Sequence, residues 1–264
     1  MKKYLVIFLL ELQRLLAYRA RVLVWLLLDV STVAILPFFW LALYGGKDAL
    51  NGFSRADIVT YYIIIGFIGL LDTSHVSRHT HESILQGTLS TPLVQPYSFI
   101  LNKFTKENSY KVFSGGFAFL LAPLLLLFLP AYFFLPSSPR TIVWFCFFLL
   151  LSRLLSFFLE MMIGLGSFWL QETGALMQIR FLIEKTFAGQ FAPLALFPPA
   201  LRLVSSYLPF QYLYYIPAQV YLEKIPPTLL YHHAFVALMW VSAAFLSVLF
   251  LWKRGLYRYD GAGI

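Results

Sequence analysis

Charge is scarce in this chain of 264 residues: Asp, Glu, Lys and Arg together make up 12% of it, about half the share usual in a soluble domain. That shortage excludes an ordinary solvated fold, because 60% of the residues are hydrophobic and 19% aromatic, with Phe alone occurring 27 times. Acidic residues are the rarer sign, 12 against 20 Lys and Arg. Cysteine is almost missing. The single Cys146 rules out an intramolecular disulfide, and its Phe-rich surroundings read as a site for a small buried hydrophobe. No G-x-x-x-x-G-K run occurs, so the chain has no phosphate loop of that type for binding ATP itself. The opening "MKKYLVIFLLELQRLLAYRARV" lacks a small-residue cleavage site and is interrupted by Glu11, Arg14 and Arg19, so it does not read as a removable signal peptide. In "DTSHVSRHTHES" there is neither an H-E-x-x-H arrangement nor a cysteine, and His75, His79 and His81 read as solvated residues rather than a metal site.

What the chain does have is long apolar runs, several exceeding the roughly 18 residues that mark a transmembrane helix. The expected fold is an all-α integral membrane protein, one permease-like domain over 1–264 with six spans, at about 22–44, 58–76, 112–135, 141–170, 175–197 and 228–252. Residues 2–20 read as a helix lying in the membrane interface. Glu11, Arg14, Tyr18 and Arg21 form one polar stripe on a Leu-rich cylinder. Basic residues gather beside the apolar runs and not in a separate polar domain, which argues for membrane topology and against nucleic acid. Lys2, Lys3, Arg14, Arg78, Lys103, Lys106, Lys111, Arg180, Lys185, Lys253, Arg254 and Arg258 fall on one side, with Arg19 and Arg21. Lys47, Arg55, Arg140, Arg202 and Lys224 fall on the other. The richer side, carrying both termini, is expected to be cytoplasmic, with the protein in the plasma (inner) membrane.

Two regions break the pattern. Residues 198–227 are apolar but rich in proline, which a continuous spanning helix does not tolerate. Two short re-entrant helices are expected there, with Tyr207, Tyr212, Tyr214, Tyr215 and Tyr221 at headgroup level, forming either a cavity or a packed lid. Asp29, Asp72, Arg153 and Glu160 sit inside apolar stretches, where each costs a few kcal/mol unless paired or facing a polar cavity. Arg153 and Glu160 lie two turns apart on one helix face, and Asp29 is a candidate counter-ion. These four read either as a substrate path or as structural intramembrane pairing.

The segment 77–111 is a soluble-looking insert. "HTHESILQGTL" has the spacing of a short helix with Ile84, Leu85 and Thr88 on one face, ended by Ser90–Thr91–Pro92. Such a helix across the membrane surface suits a groove on a soluble partner. Four stretches in order then resemble the permease subunits of type-two ABC exporters. "YRARVLVWLLLDV" resembles that family's entry to the first span, and "ESILQGTLSTPLVQP" its cytoplasmic coupling region. "FAGQFAPLALFPPALRLVSSYLPFQYLYYIPAQVYL" resembles its fifth span and outer re-entrant helices, and "WKRGLYRYDGAGI" its G-L-x-x-Y ending. One departure stands out: His79 and His81, with only Glu82, occupy positions where many relatives carry more acid.

The resemblance implies a non-enzymatic transport subunit that moves an amphipathic or hydrophobic substrate. It would work with a partner ABC ATPase that carries the ATP and magnesium, and with a second permease chain, identical or related. It implies ATPase coupling through Glu82, Ser83, Ile84, Leu85, Gln86, Gly87, Thr88, Leu89 and Pro92. It also implies an outer gate at Pro193, Pro198, Pro209, Phe210, Tyr214 and Pro217. Two other classes remain: an intramembrane enzyme acting on a lipid, and an ion-coupled secondary transporter using Asp29 or Glu160. The second commonly carries internal repeats, and none is evident here.

Overall fold

The computed structural model describes residues 2–18, 24, 35–45, 49–50, 52–72, 75–128, 133–172 and 174–259. Asp29, Arg19, Arg21, Lys47 and most of the expected first span lie outside the described residues. The regular structure of the described residues is helical except for one small hairpin. Its helices are α1 (Lys2–Ala17), α2 (35–43), α3 (Arg55–Asp72), α4 (Val76–Leu85), α5 (Ser90–Leu93), α6 (Phe99–Phe128), α7 (Pro139–Leu165), α8 (Gly174–Phe187), α9 (Pro199–Tyr207), α10 (Tyr215–Tyr221) and α11 (Pro227–Leu256). The hairpin pairs β1 (Ala49–Leu50) with β2 (Phe53–Ser54) just before α3.

Local chemistry sets the helix starts. Ser54 and Asp57 form a reciprocal capping box: Asp57 N donates to Ser54 Oγ at 3.1 Å, and Ser54 N donates to Asp57 Oδ2 at 2.9 Å. Ser138 caps α7 by accepting from Arg140 N at 3.2 Å, with Pro139 in the first turn, where its missing N–H costs nothing. Lys253 and Arg254 occupy the last turn of α11, complementing its negative end.

Among the described residues, three stretches are long and apolar enough to cross a membrane: Arg55–Leu85, which takes in α3 and α4, Pro139–Phe168 and Pro227–Leu256. The outward faces of α7 and α11 carry Val143, Leu150, Phe235, Met239, Leu246 and Phe250, all exposed. So continuous an apolar surface needs lipid against it, as in a multi-pass membrane protein. Cys146 is on that outward side of α7, exposed and not buried as its neighbours suggest. Inside, α3 is buried almost all round, from Ile58 to Gly66, and forms the axis of the main core with α7, α10 and α11.

Two expected boundaries move. α6 begins at Phe99, so Lys103, Lys106 and Lys111 belong to a 30-residue helix and not to a loop. The expected fifth span stops early: α8 has 14 residues, about 21 Å of helix. Beyond it the chain turns at Gly189 and meets Pro193 and Pro198, whose rings remove donors that a longer helix needs.

Candidate functional site

The insert between α3 and α6 is amphipathic at helical spacing. Val76, Ser77, Thr80 and Ile84 are buried, while Arg78 and His79 are exposed. Its buried stripe lies on α7. Gly164 makes that approach possible, because a Cβ there would stand 2.7 Å from Thr80 Cβ and 2.9 Å from the Ser77 carbonyl oxygen. Ile84 continues the stripe of Val76 and Thr80 and is fully buried, as is Leu89. The outward surface consists of Glu82, Ser83, Leu85, Gln86 and Thr88, without the expected Ile84.

α4 ends at Gly87 and not at the proline. Gly87 takes φ of 68°, a left-handed conformation open to glycine, and the Leu89 amide donates back to the Ser83 carbonyl at 2.9 Å. Pro92 then falls inside the short α5, near its start. Tyr259 closes this turn from the far end of the chain. Its hydroxyl donates to the Gly87 carbonyl at 2.6 Å and accepts from the Ser90 amide at 3.1 Å. One turn earlier, Gly255 lies against the Phe168 ring, where a Cβ would come within 2.0 Å. The G-L-x-x-Y ending therefore has a structural task, to carry a tyrosine onto the insert. From the other terminus, Tyr4 Oη accepts from the Ser98 amide at 3.1 Å and Lys3 donates to the Pro96 carbonyl. The start of α1 and the tail after α11 thus hold the same segment.

Around the insert, His81 Nδ1 is 2.8 Å from Ser167 Oγ. Lys103 Nζ donates to the His79 carbonyl at 3.1 Å and to Ser83 Oγ at 3.3 Å. Burial, helped by the charge of Lys106, pushes the Lys103 ammonium down from 10.5 to about 8. A polar cleft of about 370 Å³ separates the insert from α1, lined by Glu11, Arg14, His79, Glu82, Gln86 and Lys106 among others.

Beneath the insert lies a group of buried charges. Glu160 of α7 accepts from the Ser77 amide at 3.1 Å, so it satisfies a donor in the first turn of α4 that has no partner within the helix. Glu160 is also ion-paired with Arg180 of α8, and Arg180 pairs with Glu184 one turn further on. The expected Arg153–Glu160 stripe is divided between neighbours. Arg153 instead lies 3.8 Å from Glu107 of α6, which Lys111 approaches at 3.5 Å. Asp72 Oδ2 accepts from the Tyr214 hydroxyl at 2.8 Å.

That last contact corrects the reading of the proline-rich segment. Two short helices are present, α9 and α10, but Tyr214 is deep in the bundle, as is Tyr212. Ser152 Oγ donates to the Leu213 carbonyl at 2.7 Å, Tyr215 N to the Ala188 carbonyl at 3.0 Å and Tyr61 Oη to the Gly189 carbonyl at 2.7 Å. Irregular backbone here is covered by protein, as a low-dielectric interior requires. Of the five tyrosines expected at headgroup level, Tyr207 remains outside, 75% exposed. The expected gate residues do not share one place. Pro198 is exposed at the start of α9, whereas Pro193, Pro209 and Pro217 are buried and Phe210 is half-buried.

Sequence reasoning missed Arg180 as a partner, counting it as a topology marker, and missed Ser77 and Glu184. An available signal was the i, i+4 spacing of Arg180 and Glu184 in a short amphipathic helix. A family model described as ABC-2 family transporter protein matches residues 30–263. The chain belongs to that family, so it is a permease-type membrane subunit of an ABC transporter, a class that works with an ABC ATPase. No curated protein and no solved structure matches it.

Proposed function

We propose that this chain is the permease of an ATP-driven exporter, docking a separate ATPase through α4 and the turn that follows it. ATP and magnesium bind on that ATPase, and a second permease chain, a copy or a paralogue, completes the path for an amphipathic or hydrophobic substrate. The insert side, rich in Lys and Arg, faces the cytoplasm of the inner membrane. The chain itself catalyses no reaction.

One observation carries this reading. α4 is not a loose surface helix: Gly164 seats it on α7, and Ser77 and Glu160 join it to Arg180 of α8. A force on the outward residues Glu82, Leu85, Gln86 and Thr88 therefore reaches α7 and α8 through direct contacts. The re-entrant segment lies close to the same charges through Tyr214 and Asp72. This is the contiguous physical connection that an ATPase needs to bias a two-state bundle.

The test is co-purification in mild detergent with the ATPase encoded nearest to this gene, comparing wild type with Leu85→Asp and Gln86→Trp. Leu85 is partly exposed and Gln86 exposed, so both variants change the docking surface and leave the seat intact. Retention by wild type and loss by both variants at unchanged unfolding temperature is expected. Equal retention by all three would remove α4 as the docking element. Absence of any ATPase from wild type would remove the mechanism and return attention to the buried acids as an ion-coupled site.

A further inference from the structure

A cavity of about 320 Å³ lies among α3, α6 and α7, on the side of the bundle that carries the insert. Most of its wall is apolar, with Ile68, Leu71, Val112 and Leu149. Two cations stand in it. Lys111 is 4% exposed, and its Nζ makes no hydrogen bond among the described residues. The Nε, Nη1 and Nη2 atoms of Arg153 are also buried, without an acceptor among those residues. The two side chains share Glu107, at 3.5 and 3.8 Å, which is ion-pair separation and longer than a hydrogen bond. Asp72 lines the cavity as well. One of its oxygens accepts from Tyr214, and the other has no donor among the described residues.

The unmet demand is lopsided. Lys and Arg can only donate, so the lysine nitrogen and the three nitrogens of Arg153 call for acceptors, against one carboxylate oxygen that calls for a donor. Leaving buried donors unsatisfied costs more than an ordinary hydrogen bond returns, and more still for charged groups. The cavity also has a side opening. Gly116 is exposed, and a Cβ on it would meet nothing within 4 Å; Val112, one turn earlier, is 58% exposed. The route out thus runs across an apolar helix face, not through the polar insert.

We propose that this cavity binds the phosphate of an anionic lipid. Arg153 and Lys111 donate to the phosphate oxygens, and the acyl chains leave past Val112 and Gly116. The planar guanidinium suits a tetrahedral anion bearing several oxygens, and the lysine adds a second charge. The apolar walls and side opening assign the phosphate to a lipid and not to a free anion. Asp72 opposes the anion and limits its affinity. The site goes beyond the exporter reading and is independent of the cargo.

The full chain, purified in mild detergent, is mixed with phosphatidylglycerol or phosphatidylcholine, and retained lipid is counted by native mass spectrometry. Wild type is expected to keep phosphatidylglycerol in preference to phosphatidylcholine. Arg153→Gln should lower that retention about tenfold. Gly116→Leu, which fills the opening and changes no charge, should do the same, and Asp72→Asn should raise it. Unchanged co-purification of Gly116→Leu with the ATPase reports its fold, so a failure here leaves the exporter reading standing. Equal retention by wild type, Arg153→Gln and Gly116→Leu would overturn the site. Displacement of the lipid by excess inorganic phosphate from wild type and Gly116→Leu alike would overturn its assignment to lipid.

Discussion

Two groups of charge are buried in this bundle, one around Arg180 and one around Arg153, and their surroundings treat them differently. Arg180 lies between Glu160 and Glu184 and pairs with both, while Glu160 also accepts from the first turn of α4; Arg180 Nε and Glu184 Oε2 are the atoms of this group left without a hydrogen bond among the described residues. Arg153 and Lys111 share the single carboxylate of Glu107 at longer range and keep nitrogens without acceptors among the described residues. Burial is alike but the composition is inverted, one cation with two carboxylates against two cations with one. In a medium where an unpaired charge costs several kcal/mol, the closed group acts as a joint between helices, whereas the open one calls for something from outside the chain.

The sharpest way to break this comparison is to remove one arginine from each group. Arg180→Met leaves Glu160 and Glu184 buried without the cation they share, a change that costs about 3–5 kcal/mol where a buried pair loses one partner. We expect most of the folded protein to disappear, read as loss of the monodisperse peak in detergent and a large fall in unfolding temperature. Arg153→Met removes a charge that makes no hydrogen bond among the described residues. Its stability should change by no more than about 1 kcal/mol, since an apolar side chain of similar volume fits a partly satisfied site. Equal damage from the two variants would show that both groups are structural joints.

A second substitution cuts the closed group off from the insert without touching a charge. Gly164→Val places a branched side chain where a single Cβ is already 2.7 Å from Thr80 Cβ. Overpacking of this kind costs about 1–3 kcal/mol, and here it falls on the contact between α4 and α7. Stimulation of the partner ATPase should fall further than the unfolding temperature does, the reverse of the pattern for Arg180→Met. If coupling survives while the fold weakens, the contact of α4 with α7 is packing and nothing more.

The class of the molecule was legible in its sequence because long apolar runs have few other uses. α7 and α11 lie close to their expected bounds, since no proline or charge run interrupts them. The amphipathic opening helix and the two short helices of the proline-rich segment were also readable from spacing and proline density. Pairing was not. Two turns between Arg153 and Glu160 place them on one face, but packing decides which neighbour reaches each, and α6 took one while α8 took the other. The facing of Ile84 depends on which side of α4 meets α7, which Gly164 determines from far along the chain. The link from Tyr259 to Gly87 is likewise invisible until the last helix brings the tail back to the insert.

Lys103 offers the smallest test and a third way of handling a buried cation, through loss of its proton. Its ammonium donates to the His79 carbonyl and to Ser83 Oγ, and burial brings its pKa from 10.5 down to about 8. The unfolded chain keeps that proton up to about 10.4. Between these values the unfolded state binds more protons than the folded one, so stability rises with pH across the window, and below it this group's destabilising contribution is constant. Lys103→Met has no such proton. The unfolding temperature of wild type should therefore gain on that of the variant as pH rises from about 8 to about 10, by a few degrees at most because the side chain is partly solvated. A difference that stays flat with pH would mean that Lys103 keeps its water. α4 would then be held by α7 and Tyr259 without help from α6.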